Sequence, residues 1–290
     1  MSEVTVCGRT FSAAELEVIR GIIRIDNSNR AQISREVCRT LSWLKPDGEL
    51  KEMSCRVALL RLHRLGIIEL PPPRHADPNR SRHIKFTPAS DPGNPITGQA
   101  EALGPIEIVR VKHPKQSRLW NELIQRYHYL GYTPLPGAQI RYLIYTSSGI
   151  LLGAIGFSAA AWALRPRDEI IGWSKQQRIK NLPLVVNNSR FLILPWVKVK
   201  NLASKVLALC IKQLPQDWQD VYRYQPMLLE TFVEKERFPG TCYKAANWHL
   251  IGETKGRGKF DRKNEYALPV KDVYIYPLSR KFRDVLTRLD

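Results

Sequence analysis

Three side chains that can move protons or hold a metal interrupt apolar surroundings: His128, Asp168 and Glu230. His128 lies in RYHYLGY (126–132) at the end of a helical pattern; Tyr127 continues the apolar face, whereas His128 and Tyr129 fall off it. An imidazole can trade a proton near neutral pH, and a tyrosine hydroxyl can attack a phosphodiester covalently. Glu230 sits inside the apolar strand pattern PMLLETFVEKE, where a carboxylate needs a partner to stay charged. Two partners fit: Arg190 in a structural salt bridge, or a divalent metal shared with Asp168. Two carboxylates on Mg²⁺ suit phosphodiester chemistry.

Asp168 belongs to LRPRDEIIGW (164–173), whose Arg165 and Arg167 read either as phosphate-capturing groups or as a charge-compensated exposed loop. Asn187-Asn188-Ser189-Arg190 precedes the apolar run FLILPWV, a place where side-chain amides can hold a ligand. In GETKGRGK (252–259), Lys255, Arg257 and Lys259 alternate with glycines that let backbone N–H groups approach phosphates. That loop lacks GxxxxGK[ST], so it is no nucleotide P-loop. Arg190, Lys198 and Lys200 add cations that can contact DNA or steady developing charge.

The elements that must position these groups divide the chain. Between Pro71 and Pro105 there are eight prolines, read as a linker (71–105) between an N-terminal domain (1–70) and an α/β domain (106–290). The N-terminal domain shows a helix at 12–24 capped by Ser12, a short helix with Ile33, Val37 and Leu41, and an Arg-bearing helix near 53–65. That last helix carries Val57, Leu60 and Leu65 as its apolar residues, and a β-like IIEL follows it. The order predicts a winged helix-turn-helix, with Ser54, Arg56, Arg61 and His63 at a DNA groove or its phosphates. Past the linker come a helix at 116–130, a hairpin (QIRYLIYTS, GILLGAIGFS), a strand at SRFLILPWV, a helix at NLASKVLALCIKQL, a strand at PMLLETFV, a helical piece near GTCYKAANW and a strand at VYIYP. This is an α/β mixed sheet.

The 290 residues carry 45 Lys+Arg against 27 Asp+Glu, a formal charge of +18. Residues 1–70 hold 11 basic and 9 acidic side chains, and residues 106–290 hold 30 and 15. The excess therefore belongs to the α/β domain and predicts a polyanionic partner, with the helical domain supplying orientation. The five cysteines form no CxxC pair, which argues against a disulfide framework or a cysteine zinc site and fits a reducing cytoplasm. No long apolar run or signal peptide is read, so no membrane partner is expected.

At these residues the chain resembles a known family. RYHYLGY, RDEIIGW, NNSRFLILPWVKVKNLASKVL, LLETFV and GTCYKAANWHLIGETKGRGK follow in the order of the Druantia DruA-like family, and SCRVALLRLHRLGIIELPPPR is similar to that family's N-terminus. The resemblance implies a bacterial protein of anti-phage defence, or a relative tied to transposition. The order of elements is also similar to the GCN5-related acetyltransferase (GNAT) fold, which implies a Gly-rich turn for acetyl-CoA. The matching turn here, VKVKNLASK, has no glycine, so acetyl-CoA is not the expected cofactor.

Three functions follow. The first is a DNA-binding protein that nicks or rejoins DNA as a nuclease or strand transferase, with His128, Asp168 and Glu230 catalytic, Mg²⁺ on the two carboxylates and Tyr129 as the covalent option. The second is a DNA sensor or adaptor that recruits a helicase or nuclease partner without turnover. The third is an acetyl-CoA-dependent acyltransferase.

Overall fold

The computed structural model describes residues 3–25, 29–73, 84–256 and 268–289, and the chain divides into two units, 1–82 and 83–290. In the first unit a hairpin of β1 (Val4–Val6) and β2 (Arg9–Phe11) precedes helices α1 (Ala13–Ile25), α2 (Arg30–Thr40) and α3 (Glu52–Arg64). Ser12 caps α1 as expected, its hydroxyl accepting from Glu15 N–H at 3.2 Å while Glu15 accepts from Ser12 N–H at 2.9 Å. Phe11, Leu16, Ile19, Ile33, Val37, Cys55, Ala58, Leu59 and Leu62 bury one core.

Two features of this unit correct the sequence reading. The apolar stripe of α3 is Cys55, Ala58, Leu59 and Leu62, at helical spacing, while Val57 and Leu65 are exposed. IIEL forms no strand, because side chains take its backbone groups. Arg20 donates to Ile67 O at 2.8 Å and Leu70 N–H donates to His63 Nδ1 at 3.3 Å, while just past the segment Arg30 donates to Pro71 O at 2.7 Å. The α2–α3 connection does turn at Pro46-Asp47-Gly48, where Gly48 N–H donates to Lys45 O at 3.0 Å inside a small bridge between Leu44 and Leu50.

The second unit opens with β3 (Ile96–Gln99), β4 (Ile106–Arg110) and α4 (Pro114–Tyr127). There follow β5 (Gln139–Thr146), β6 (Leu151–Ala159), α5 (Arg165–Ile171), α6 (Lys175–Asn181) and β7 (Val185–Ile193). It closes with β8 (Val197–Lys200), α7 (Leu202–Tyr222), β9 (Leu228–Glu234), α8 (Thr241–Ala245), β10 (His249–Glu253), β11 (Lys271–Pro277) and α9 (Phe282–Leu286). Among the described residues one mixed sheet runs in the order β10-β11-β9-β7-β6-β5-β4. All its pairings are antiparallel except β7 with β9, which need the crossover through α7 to lie parallel. Leu202, Val206, Leu207, Cys210, Leu214 and Trp218 line the buried stripe of α7.

The proline-rich stretch is only partly a linker. Residues 84–105 belong to the second unit: β3 pairs parallel with β8, Thr87 donates to Glu122, and Arg126 reaches Asp91 at 2.7 Å. Their prolines fall outside β3 itself, so its backbone donors are free to pair.

Gly153 of β6 lies opposite Ile144 on β5 and Ile193 on β7, and a Cβ there would stand 2.3 Å from Leu192 O. Gly153→Ala is therefore expected to lower the unfolding free energy by about 1–3 kcal/mol, measured as a lower midpoint of chemical denaturation.

Candidate functional site

The two parallel strands of the sheet do not stay together. β7 and β9 are paired only from Val185 opposite Leu228 to Asn188 opposite Thr231. Beyond that point β7 keeps its pairing to β6 through Ile193, and β9 keeps its pairing to β11 through Glu234. The sheet thus parts between the C-terminal halves of β7 and β9, and a cleft of about 240 Å³ opens there. Asn187, Ser189 and Arg190 line it from β7, Phe232 from β9, Lys271 from β11, and Thr133–Pro136 from the segment after α4. A parallel pair that parts at its carboxyl ends is where α/β sheets place ligands.

Arg190 is held across this cleft, donating to Ser189 O at 2.7 Å and Thr133 Oγ1 at 3.0 Å. It therefore does not pair with Glu230. Burial lowers the pKa of Arg190 and of Lys271 from their ordinary values, and the charge of Arg190 lowers that of Lys271 further. Asn188 is committed to the fold: its Nδ2 donates to Gly156 O at 3.1 Å, and its Oδ1 accepts from Tyr243 Oη at 2.7 Å. Asn187 differs, because its Oδ1 is buried and meets no partner among the described residues.

His128 ends α4 beside this cleft. Its Nδ1 accepts from Leu130 N–H at 3.2 Å, which leaves the proton of the neutral ring on Nε2. Burial first, then the positive charges of Arg190 and Lys271, push its pKa down to about 4. His128 is therefore a neutral hydrogen-bond donor at pH 7 rather than a base that trades a proton there. Tyr129 stacks on it with centroids 4.9 Å apart, and burial and Glu234 hold the Tyr129 hydroxyl protonated above its usual range.

Asp168 and Glu230 do come together, through a guanidinium. Fully buried Arg167 donates to Glu230 Oε2 at 2.7 Å and to Asp168 Oδ1 at 2.8 Å. Glu230 Oε1 accepts from Ala161 N–H at 2.8 Å, and Asp168 also receives Trp173 Nε1 and Arg178, each at 3.0 Å. Burial pushes the Glu230 carboxyl up, while Arg167 and the Ala161 N–H oppose it. Arg167 occupies the position between the carboxylates that a cation would need, so the pair does not fit Mg²⁺. Among the described residues no three His, Cys, Asp or Glu side chains gather as metal ligands. No hydrogen bond or ion pair among them joins His128 to either carboxylate.

The other candidate contacts scatter. Arg167 is internal and captures no phosphate; Arg165 is exposed and bound to Glu169 at 2.6 Å. Lys198, Lys200 and Lys255 are exposed, and Arg257 and Lys259 lie outside the described residues. In the first unit Arg61 is exposed, Arg56 is paired with Glu52 and His63 holds the chain after α3. Lys271 and Phe238 were not singled out as site residues, because their placement depends on where the sheet parts.

A family model described as Druantia protein DruA matches residues 61–266, spanning the cleft and the Arg167 network. The chain belongs to the DruA family. No curated protein matches it. Solved structures similar to it include spermidine N-acetyltransferase from Vibrio cholerae in complex with CoA and spermine, at 11% identity over 58% of this chain and 94% of that one, TM-score 0.37. Another is the Vibrio cholerae spermidine/spermine N-acetyltransferase SpeG with manganese ions, at 10% identity over 63% and 97%, TM-score 0.40. No helix among the described residues is long and apolar enough to cross a membrane.

Two outcomes are expected. Arg167→Met strips buried Glu230 of its guanidinium and costs about 3–5 kcal/mol; adding Glu230→Leu recovers most of that loss in a denaturation double-mutant cycle. For His128, the unfolded ring takes up its proton near 6.5 and the folded one near 4, so the unfolded state binds more protons between them. Its contribution to stability is complete above about pH 6.5 and is lost as the pH falls toward 4. His128→Gln flattens that fall in pH-dependent denaturation, and the wild-type imidazole resonances titrate near pH 4 in NMR.

Proposed function

We propose that the chain is a nucleic-acid-binding component of bacterial anti-phage defence that grips a DNA phosphate in the cleft where β7 and β9 part. The observation that carries this reading is Arg190 and Lys271 lining one opening, with a neutral His128 near enough for both charges to depress its pKa. Cationic donors lining a small volume suit an oxyanion. The opening of about 240 Å³ is smaller than a typical pocket for a whole drug-sized ligand, and suits a phosphate or one nucleotide of a longer chain. The formal charge of +18 supplies the long-range attraction.

The binder acts as a sensor or adaptor, and hydrolysis belongs to a helicase or nuclease partner. Asp168 and Glu230 are consumed by Arg167, and His128 has its lone pair occupied, so neither a metal nor a base is supplied for cutting. Solvent-exposed Arg61 on α3 contributes a DNA contact from the first unit.

The test is fluorescence anisotropy of labelled DNA at several salt concentrations. Affinity falls steeply with salt, and Lys271→Ala lowers the slope of log affinity against log salt by about one. Glu230→Gln, with folding verified by circular dichroism, leaves that slope unchanged. Binding that ignores salt, or a wild-type slope in Lys271→Ala, overturns the reading.

A further inference from the structure

We propose that the cleft takes one unpaired nucleotide of a single strand, with its phosphate on Arg190 and Lys271 and its base stacked on Phe238; this rests on the nucleic-acid reading above. Phe238 is a large aromatic left 42% exposed. Its ring meets Tyr129 edge-on at 5.3 Å, and Tyr129 in turn stacks on His128 at 4.9 Å, so an aromatic ledge leads from the residues just before the cleft-lining Leu130 to the surface. Arg237 lies over the Tyr129 ring at 5.1 Å and is paired with Glu234, the acidic group opposite Lys271 in the β9–β11 register. Arg237 thus sets a cation on the ledge and pairs the Glu234 carboxylate.

Several observations select the occupant. An exposed aromatic ledge beside donors for an anion is how proteins hold single-stranded nucleic acid, with bases stacked and the backbone on cations. In a duplex the bases are already stacked on each other and cannot reach Phe238 without unpairing. A volume of about 240 Å³ excludes a duplex from the interior of the cleft.

The experiment compares a labelled single-stranded oligonucleotide with its duplex of equal length, using the full chain at fixed salt. The single strand is expected to bind more tightly. Phe238→Ala is expected to weaken single-strand affinity about 5- to 100-fold, leave duplex affinity within twofold, and be rescued by Phe238→Trp. Thermal melting of both variants checks the fold, and Phe238 is exposed enough to be replaced. Equal affinity for both forms, or an unchanged single-strand affinity in Phe238→Ala, overturns the proposal. If that happens while Lys271→Ala still lowers the salt slope, the phosphate grip survives and only the stacked nucleotide is wrong. If neither form binds in a salt-dependent way, the nucleic-acid reading itself fails.

Discussion

Everything about this cleft follows from two parallel strands that pair over four residues and then part. β7 and β9 are each fully occupied by an antiparallel neighbour on the far side, so they can separate without stranding a whole edge. The backbone groups that face the gap must then find other partners. Polar side chains collect there for the same reason, and Asn187, Ser189 and Arg190 fall in the middle of an otherwise apolar strand. A continuous sheet would bury those residues at a cost; a parted one leaves them at an opening.

Below the gap, Arg167 fastens the sheet to the chain that follows β6. It is fully buried and satisfied by two carboxylates and the Ala161 carbonyl. Such an arrangement adds little net stability compared with a well-packed apolar replacement, but it is unforgiving of the loss of one member. Its value lies in direction: it fixes α5 and the residues before it relative to β9, on the strand that forms one lip of the cleft. The charged set that lines the cleft and the one that holds its lip are thus different.

Much of this was legible in the chain. The hairpin of β5 and β6, the strands β7 and β9 and the helix α7 follow from alternation and helical spacing, and the polar break NNSR marked the cleft wall. Glu230 was rightly read as needing a partner. Its identity was hidden, because Arg167 is 63 residues away and sits in a segment whose mixed charges look solvent-exposed. His128 was legible as a chemical group, but its role turns on a single local bond from Leu130 N–H that spacing does not reveal. Proline density concealed β3, since local punctuation says nothing about a strand whose partner is a hundred residues on. The wing failed for a related reason: IIEL has strand propensity, but the Arg20 and His63 side chains bond its backbone instead of a partner strand.

The pairing of β3 with β8 has a consequence for how the molecule is made. Residues 96–99 leave the ribosome about a hundred residues before residues 197–200, so β3 waits through the synthesis of β4 to β7 with no partner. A nascent chain halted in that interval exposes a strand edge that another chain can capture. Arrival of β8 ends that exposure and ties the proline-rich arm to the turn that leads into α7, so the arm is closed before the crossover between the two cleft strands is made.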